Sequence, residues 1–241
     1  MMRQWLPERD DFLSELLELE ARPDDLKCSS CKKVDGHLRC KDCLYGGILC
    51  QQCCLSLHKY LPFHGVEKWN GSFFEDTSLH SEGYTLCLGH GGDPCPKTSL
   101  PEMDDSLNKE CDDDFVDEEE DPLLGKWERF GDDVIIIVDC GAVHQRRIQW
   151  CNCTNAPERH IQLLKHKLYP GSVDRPGTAF TFQVLQYFWI DAVECKTSAM
   201  NFFSKLRRLT NYHMPQRVPV SSMYTIGLDH LTFNSRIVIE N

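Results

Sequence analysis

From Cys28 to His64 the chain reads CSSCKKVDGHLRCKDCLYGGILCQQCCLSLHKYLPFH. Six of its cysteines form three pairs, Cys28/Cys31, Cys40/Cys43 and Cys50/Cys53, and His58 and His64 follow. Two residues between thiols let one tight turn aim both sulfurs at a single point, the spacing of a zinc knuckle. The gaps along the series are two, eight, two, six, two, four and five residues. Zinc takes thiolate and imidazole readily, and a structural site closes at four such ligands. Eight donors therefore suit two closed sites with no open position, so this module is expected not to be catalytic. Spacing alone leaves two pairings: neighbouring pairs share a metal, or alternate pairs do. Cys54 could replace Cys53 but reads as a spare thiol.

The rest of the chain supplies the setting. Its 241 residues, 41% of them hydrophobic, suffice for one large domain or two small ones. No run reaches the roughly 18 apolar residues that span a bilayer, so no membrane partner is expected. The start, Met1 to Pro7, lacks the apolar core of a signal peptide, which predicts an intracellular protein. Fourteen cysteines in a reducing compartment then call for metal more than for disulfides. The net charge of −11 equals the sum over Glu102–Asp121 alone, twelve acids against Lys109. The remainder is near neutral, and Lys196–Arg217 holds five bases (Lys196, Lys205, Arg207, Arg208, Arg217) and no acid. The global acidity therefore does not exclude an anionic partner.

Working outward, the pattern predicts an α+β protein: a small zinc module followed by a β-hairpin and a helical region. Residues 1–25 hold an amphipathic helix over 8–21, with Phe12, Leu13, Leu16, Leu17 and Glu20 at helical spacing and Pro23 as its stop. Residues 26–93 form the zinc module and an aromatic extension whose Trp69, Phe73, Phe74 and Tyr84 are expected to pack on it. Residues 94–124 read as a disordered acidic linker. Within 125–213, Asp133–Asp139 and Ala142–Trp150 read as paired strands. Helices are predicted over Pro157–Leu168, Pro176–Glu194 and Ser198–Asn211. The tail, 214–241, shows no clear pattern.

A second cluster flanks the linker. His90 and Cys95 precede it, and His144, Cys151 and Cys153 follow it. If the linker loops out, these residues could form a third zinc site. Cys87, Cys140 and Cys195 read as core thiols, and Cys111 as a free thiol in the acidic stretch. Asp139 reads as a strand end, because a two-metal nuclease centre needs several carboxylates gathered at one pocket. No phosphate-binding glycine loop and no nucleophilic serine motif is present.

Two resemblances sharpen this picture. The order of cysteines and histidines resembles the B-box and ZZ class of cross-brace zinc modules, which implies the interleaved pairing. Cys28, Cys31, Cys50 and Cys53 would then hold one zinc, and Cys40, Cys43, His58 and His64 the other, with a short helix over Gln51–Tyr60 presenting His58. More of the chain carries the second resemblance: Trp5-Leu6-Pro7-Glu8-Arg9-Asp10, Trp69-Asn70-Gly71-Ser72-Phe73-Phe74, Leu88-Gly89-His90, Gly141-Ala142-Val143-His144, Cys151-Asn152-Cys153, Tyr169-Pro170-Gly171, Pro176 to Phe182, and Leu206–Thr210. From about Trp5 to Asn211 this resembles the CxC-type, class two, cysteine-cluster domain associated with KDZ (Kyakuja-Dileera-Zisupton) transposases of basidiomycete fungi.

That likeness implies a transposable-element origin, a nuclear setting and a zinc-dependent accessory role in DNA or chromatin contact. It also supports the third site. Gly171-Ser172 departs from the alanine-threonine usual in the family. The family's catalytic domain lies downstream, and the residues after Asn211 do not resemble it, so no enzyme activity is expected. The alternative expectation is a zinc-stabilised protein–protein interaction module.

Overall fold

A computed structural model describes residues 5–44, 47–98 and 133–218. Most of the acidic segment, Cys111 and the tail beyond 218 lie outside those residues. The chain divides into two units, Met1–Tyr84 and Thr85–Asn241. It is a mixed α+β protein. No helix among the described residues is long and apolar enough to cross a membrane.

The first unit opens with helix α1, Arg9–Glu20, whose first turn carries Asp10 and Asp11. Acids there suit the positive end of the helix. The cysteine stretch follows. Strand β1 (Leu38–Cys40) pairs antiparallel with β2 (Val66–Trp69), and β2 pairs antiparallel with β3 (Phe74–Thr77). The β2–β3 turn runs through Asn70 and Gly71; Gly71 sits at φ 109°, which a side chain would resist. Sequence reading found only aromatic content here and missed this hairpin. Helix α2, Gln51–Leu57, begins right after Cys50.

The aromatic extension meets its expectation in part. The Tyr84 hydroxyl donates to the Lys59 carbonyl at 2.9 Å, and Trp69 stands edge-on to Phe74 at 5.1 Å, whereas Phe73 is exposed. The apolar core of this unit is small, built on Leu38, Ile48, Leu49, Val66 and Leu79. Gly36 lies against Ile48 so closely that a Cβ would meet the Ile48 carbonyl carbon at 2.8 Å.

The second unit is built on a five-stranded mixed sheet in the order β4-β6-β5-β8-β7. The strands are β4 (Thr85–Cys87), β5 (Val134–Val138), β6 (Val143–Gln149), β7 (Leu168–Pro170) and β8 (Thr178–Thr181). The expected hairpin is present as β5 and β6, with Val138 opposite Val143. Helix α3 covers Arg159–Lys165, α4 Phe182–Glu194 and α5 Ala199–Thr210. Val138, Val143, Phe180, Val184, Leu185, Phe188, Phe202 and Leu206 form the buried core between the sheet and α4 and α5.

Three expectations are corrected here. Pro176–Glu194 is not one helix. Thr178–Thr181 is a fully buried strand lying between β5 and β7, and only then does α4 begin. Thr181 makes the switch: its hydroxyl oxygen accepts from the Val184 amide at 3.1 Å as an N-cap and donates to Asp139 at 2.7 Å. Pro157–Leu168 yields only the shorter α3. Lys167 takes φ 59°, and Leu168 starts β7. Cys195 is not a core thiol: it caps the C-terminal end of α4, past the packed face, and is exposed.

Candidate metal centres

Each thiol pair sits where backbone turns sharply. After Cys28 the chain folds back, the Lys32 amide donating to the Cys28 carbonyl at 2.9 Å, with Lys32 itself at φ 58°. Cys50 and Cys53 straddle the first turn of α2. The Ser29 amide donates to the Ile48 carbonyl at 2.8 Å, which holds the Cys28 loop against the segment leading into Cys50. As a result Cys28, Cys31, Cys50 and Cys53 place their sulfurs within 4.8 Å of one another. The first and third pairs of the series share one point.

The second and fourth pairs share another. The ligand atoms of Cys40, Cys43, His58 and His64 also lie within 4.8 Å of one another. The Cys40 sulfur is 3.3 Å from His64 Nδ1, and the Cys43 sulfur is 3.7 Å from His58 Nε2. His58, completely buried, ends α2, and its Nδ1 lies 2.8 Å from the Cys54 carbonyl. A hydrogen bond to a carbonyl fixes the tautomer and leaves Nε2 as the donor atom facing the cluster. Cys54 is thus buried in the core and supplies this carbonyl, while Cys53 stands in the quartet.

The third group is assembled differently. Strands β4 and β6 run parallel with Cys87 level with Gln149. Both therefore end at the same edge of the sheet, and the residues just beyond them meet there. His90, Cys95, Cys151 and Cys153 have ligand atoms within 4.8 Å of one another. The sulfurs of Cys151 and Cys153 are each 3.5 Å from His90 Nε2. Gly89 makes room: a Cβ there would meet the Cys151 Cβ at 2.9 Å. His90 is exposed, unlike any ligand of the first two groups.

His144 does not join this group. It faces Ile137 across the β5–β6 ladder, five residues before the end of β6 at Gln149, beyond which the ligands collect. Its Nδ1 stands 3.1 Å from the Arg146 guanidinium, and burial, then that charge, push its pKa down to about 3. It serves as a neutral histidine of the sheet.

Sequence reading missed the supports of this site. Gln162 on α3 is buried and accepts from the Cys151 amide at 2.9 Å while donating to the carbonyls of Cys151 and Pro157. Thr98 donates to the Trp150 carbonyl, and Lys97 donates to Thr154. These bonds lock the 95–98 loop to the 150–154 loop. A glutamine carries no spacing signal, so no pattern could have singled it out.

The electrostatics suit a cation at all three points. Burial alone would raise the Cys28 thiol, but hydrogen bonds from the backbone at Cys31, Cys50 and Ser30 bring it down to about 6. Cys40, likewise opposed by burial, is brought to about 6 by His58 and by the Asp42 and Cys43 amides. Cys95 falls to about 5, chiefly through the Asn152 backbone. Its neighbour Cys153 is pushed up to about 11, first by its hydrogen bond with Cys151. Crowded thiolates repel, so without a cation some members of each quartet stay protonated. A divalent ion removes that conflict, and sets of four thiolates, two thiolates with two imidazoles, and three thiolates with one imidazole all suit zinc.

Among the described residues, the fold and these groups define a protein with three cysteine/histidine clusters able to hold metal ions. Residues 126–213 match the family model described as "CxC2 like cysteine cluster associated with KDZ transposases", in agreement with the resemblance carried by the sequence motifs. The matched stretch includes Cys151 and Cys153 but neither group of the first unit. No curated protein and no solved structure matches the chain.

Proposed function

We propose that this chain is a zinc-binding, non-catalytic accessory module of a KDZ-type transposase that contacts DNA or chromatin in the nucleus. The observation that carries the reading is closure: each cluster draws all four ligands from the chain, and zinc with four protein ligands has no position left for substrate or activated water. The interleaved sharing of pairs in the first unit supports a B-box- or ZZ-like cross-brace. The family description, a cluster associated with a transposase, fits an accessory role.

For DNA contact, α5 is the favoured element. Phe202 and Leu206 fix one of its faces in the core, while Lys205 and Arg208 are on its exposed side and Lys196 is exposed just before it. Lys205 also pairs with Asp191, so Lys196 and Arg208 are the better probes.

Duplex binding titrated from low to moderate salt tests this. Phosphate contacts make log affinity fall linearly with log salt, by about 0.9 for each contact. Replacing Lys196 and Arg208 by glutamate is expected to flatten that slope by about 2. Absence of DNA binding at low salt in the zinc-loaded protein would reject the reading and favour the protein-interaction alternative.

A further inference from the structure

Helix α1 buries none of its residues. At about 100° per residue, Phe12, Leu13, Leu16, Leu17 and Leu19 fall on one broad face, which Arg9 and Glu20 share only at the two ends of the helix. All five are exposed, Leu16 at 59% and Leu17 at 62%. Trp5 extends the stripe by stacking near Phe12 at 5.5 Å. The opposite face carries Asp11, Glu15 and Glu18, and Glu8 and Asp10 lie at the edges of the stripe. Between Glu8 and Glu20 there are six acids against one base, Arg9. The far end of the helix is held in place: Arg39 donates to the Leu19 carbonyl, pairs with Glu20 and Glu67, and stacks over Phe74 at 4.0 Å. An amphipathic helix anchored at one end and apolar toward solvent is shaped to enter a groove.

Charge selects what covers it. A second copy of α1 would bring acidic edges against acidic edges. The chain's own segment over Glu102–Asp121 is acidic, and residues 219–241 hold two acids against the single base Arg236. An anionic lipid surface would repel the helix for the same reason. We propose that α1 is a docking helix that lays Phe12, Leu13, Leu16 and Leu17 into an apolar groove, rimmed by lysine and arginine, on another protein. The leucines supply the buried contact, and the acids at the edges set orientation and speed encounter.

The test uses the full zinc-loaded chain and a synthetic helical hairpin with a leucine-lined groove and lysine rims, beside the same hairpin with glutamate rims. The lysine-rimmed hairpin is expected to bind, to weaken with salt, and to lose at least tenfold in affinity against Leu16→Asp/Leu17→Asp. The glutamate-rimmed hairpin is expected not to bind. Because both leucines are exposed, the variant should keep its zinc content, and DNA affinity should not change, which separates this inference from the DNA reading. Lysine-hairpin binding that ignores the leucine change would overturn the proposal. So would self-association in sedimentation that the variant abolishes, or binding to phosphatidylcholine–phosphatidylserine vesicles that the variant abolishes.

Discussion

The two interleaved groups of the first unit and the single group of the second use the same donors on opposite structural logic. In the first unit eight ligands lie within one run of 37 residues, and little else holds the run together. Its strands are three or four residues long, and its apolar core is small. In the second unit the ligands come from two distant segments, Cys95 and Cys153 being 58 residues apart, and a sheet with its own packed core brings them together. In the first unit the spacing of the ligands within one run sets the groups, whereas in the second the sheet brings distant ligands together. A local motif can depend on its ion for folding; a site assembled by a sheet edge need not.

Chelation should show the largest contrast. Structural zinc contributes roughly 10–16 kcal/mol to small metal domains. Removing it is expected to abolish amide-exchange protection over residues 26–66 while leaving β5, β6 and α4 protected. Cys50→Ser should mimic chelation in the first unit, and Cys95→Ser should cost one metal without melting the sheet. Equal loss of protection in both units would show that both depend on metal to the same degree.

A smaller effect is expected at Gln162. Its side chain touches no metal ligand's sulfur but pins the Cys151 backbone. Supports of this kind typically change metal affinity by about 10–100-fold. Gln162→Ala should therefore weaken the third site alone, read as one zinc per chain captured faster by a chromogenic chelator. Unchanged capture would remove Gln162 from the account.

Acidification gives the smallest and most graded effect. Thiols held below their ordinary value favour the metal-ready thiolate at neutral pH. That advantage disappears as pH falls through their folded values, about 6 for Cys28 and Cys40 and about 5 for Cys95. Zinc held at pH 7 should be released with proton uptake as pH passes through this range, and full retention at pH 4 would contradict it.

What the sequence made legible follows the same division. The Cys28–His64 run could be read because spacing within a turn is local, and the turn geometry carries it through to the folded chain. The choice between pairings was not local: it depends on the Cys28 loop meeting the segment before Cys50 through the Ser29–Ile48 hydrogen bond, which no cysteine spacing reveals. In the second unit the β5–β6 hairpin was visible as an apolar run, yet the parallel alignment of β4 with β6 was not. That alignment decides that His90 meets Cys151 while His144 stays inside the ladder. Thr178–Thr181 misled for a related reason: Phe180, Val184 and Phe188 keep a spacing of four across the junction, so helical periodicity ran on into a strand that tertiary pairing dictates.

Native mass spectrometry of the purified chain counts the ions it holds. Three zinc ions per chain are predicted, falling to two in Cys95→Ser and remaining three in His144→Ala. Two zinc ions in the unaltered chain, or loss of one with His144→Ala, would contradict it.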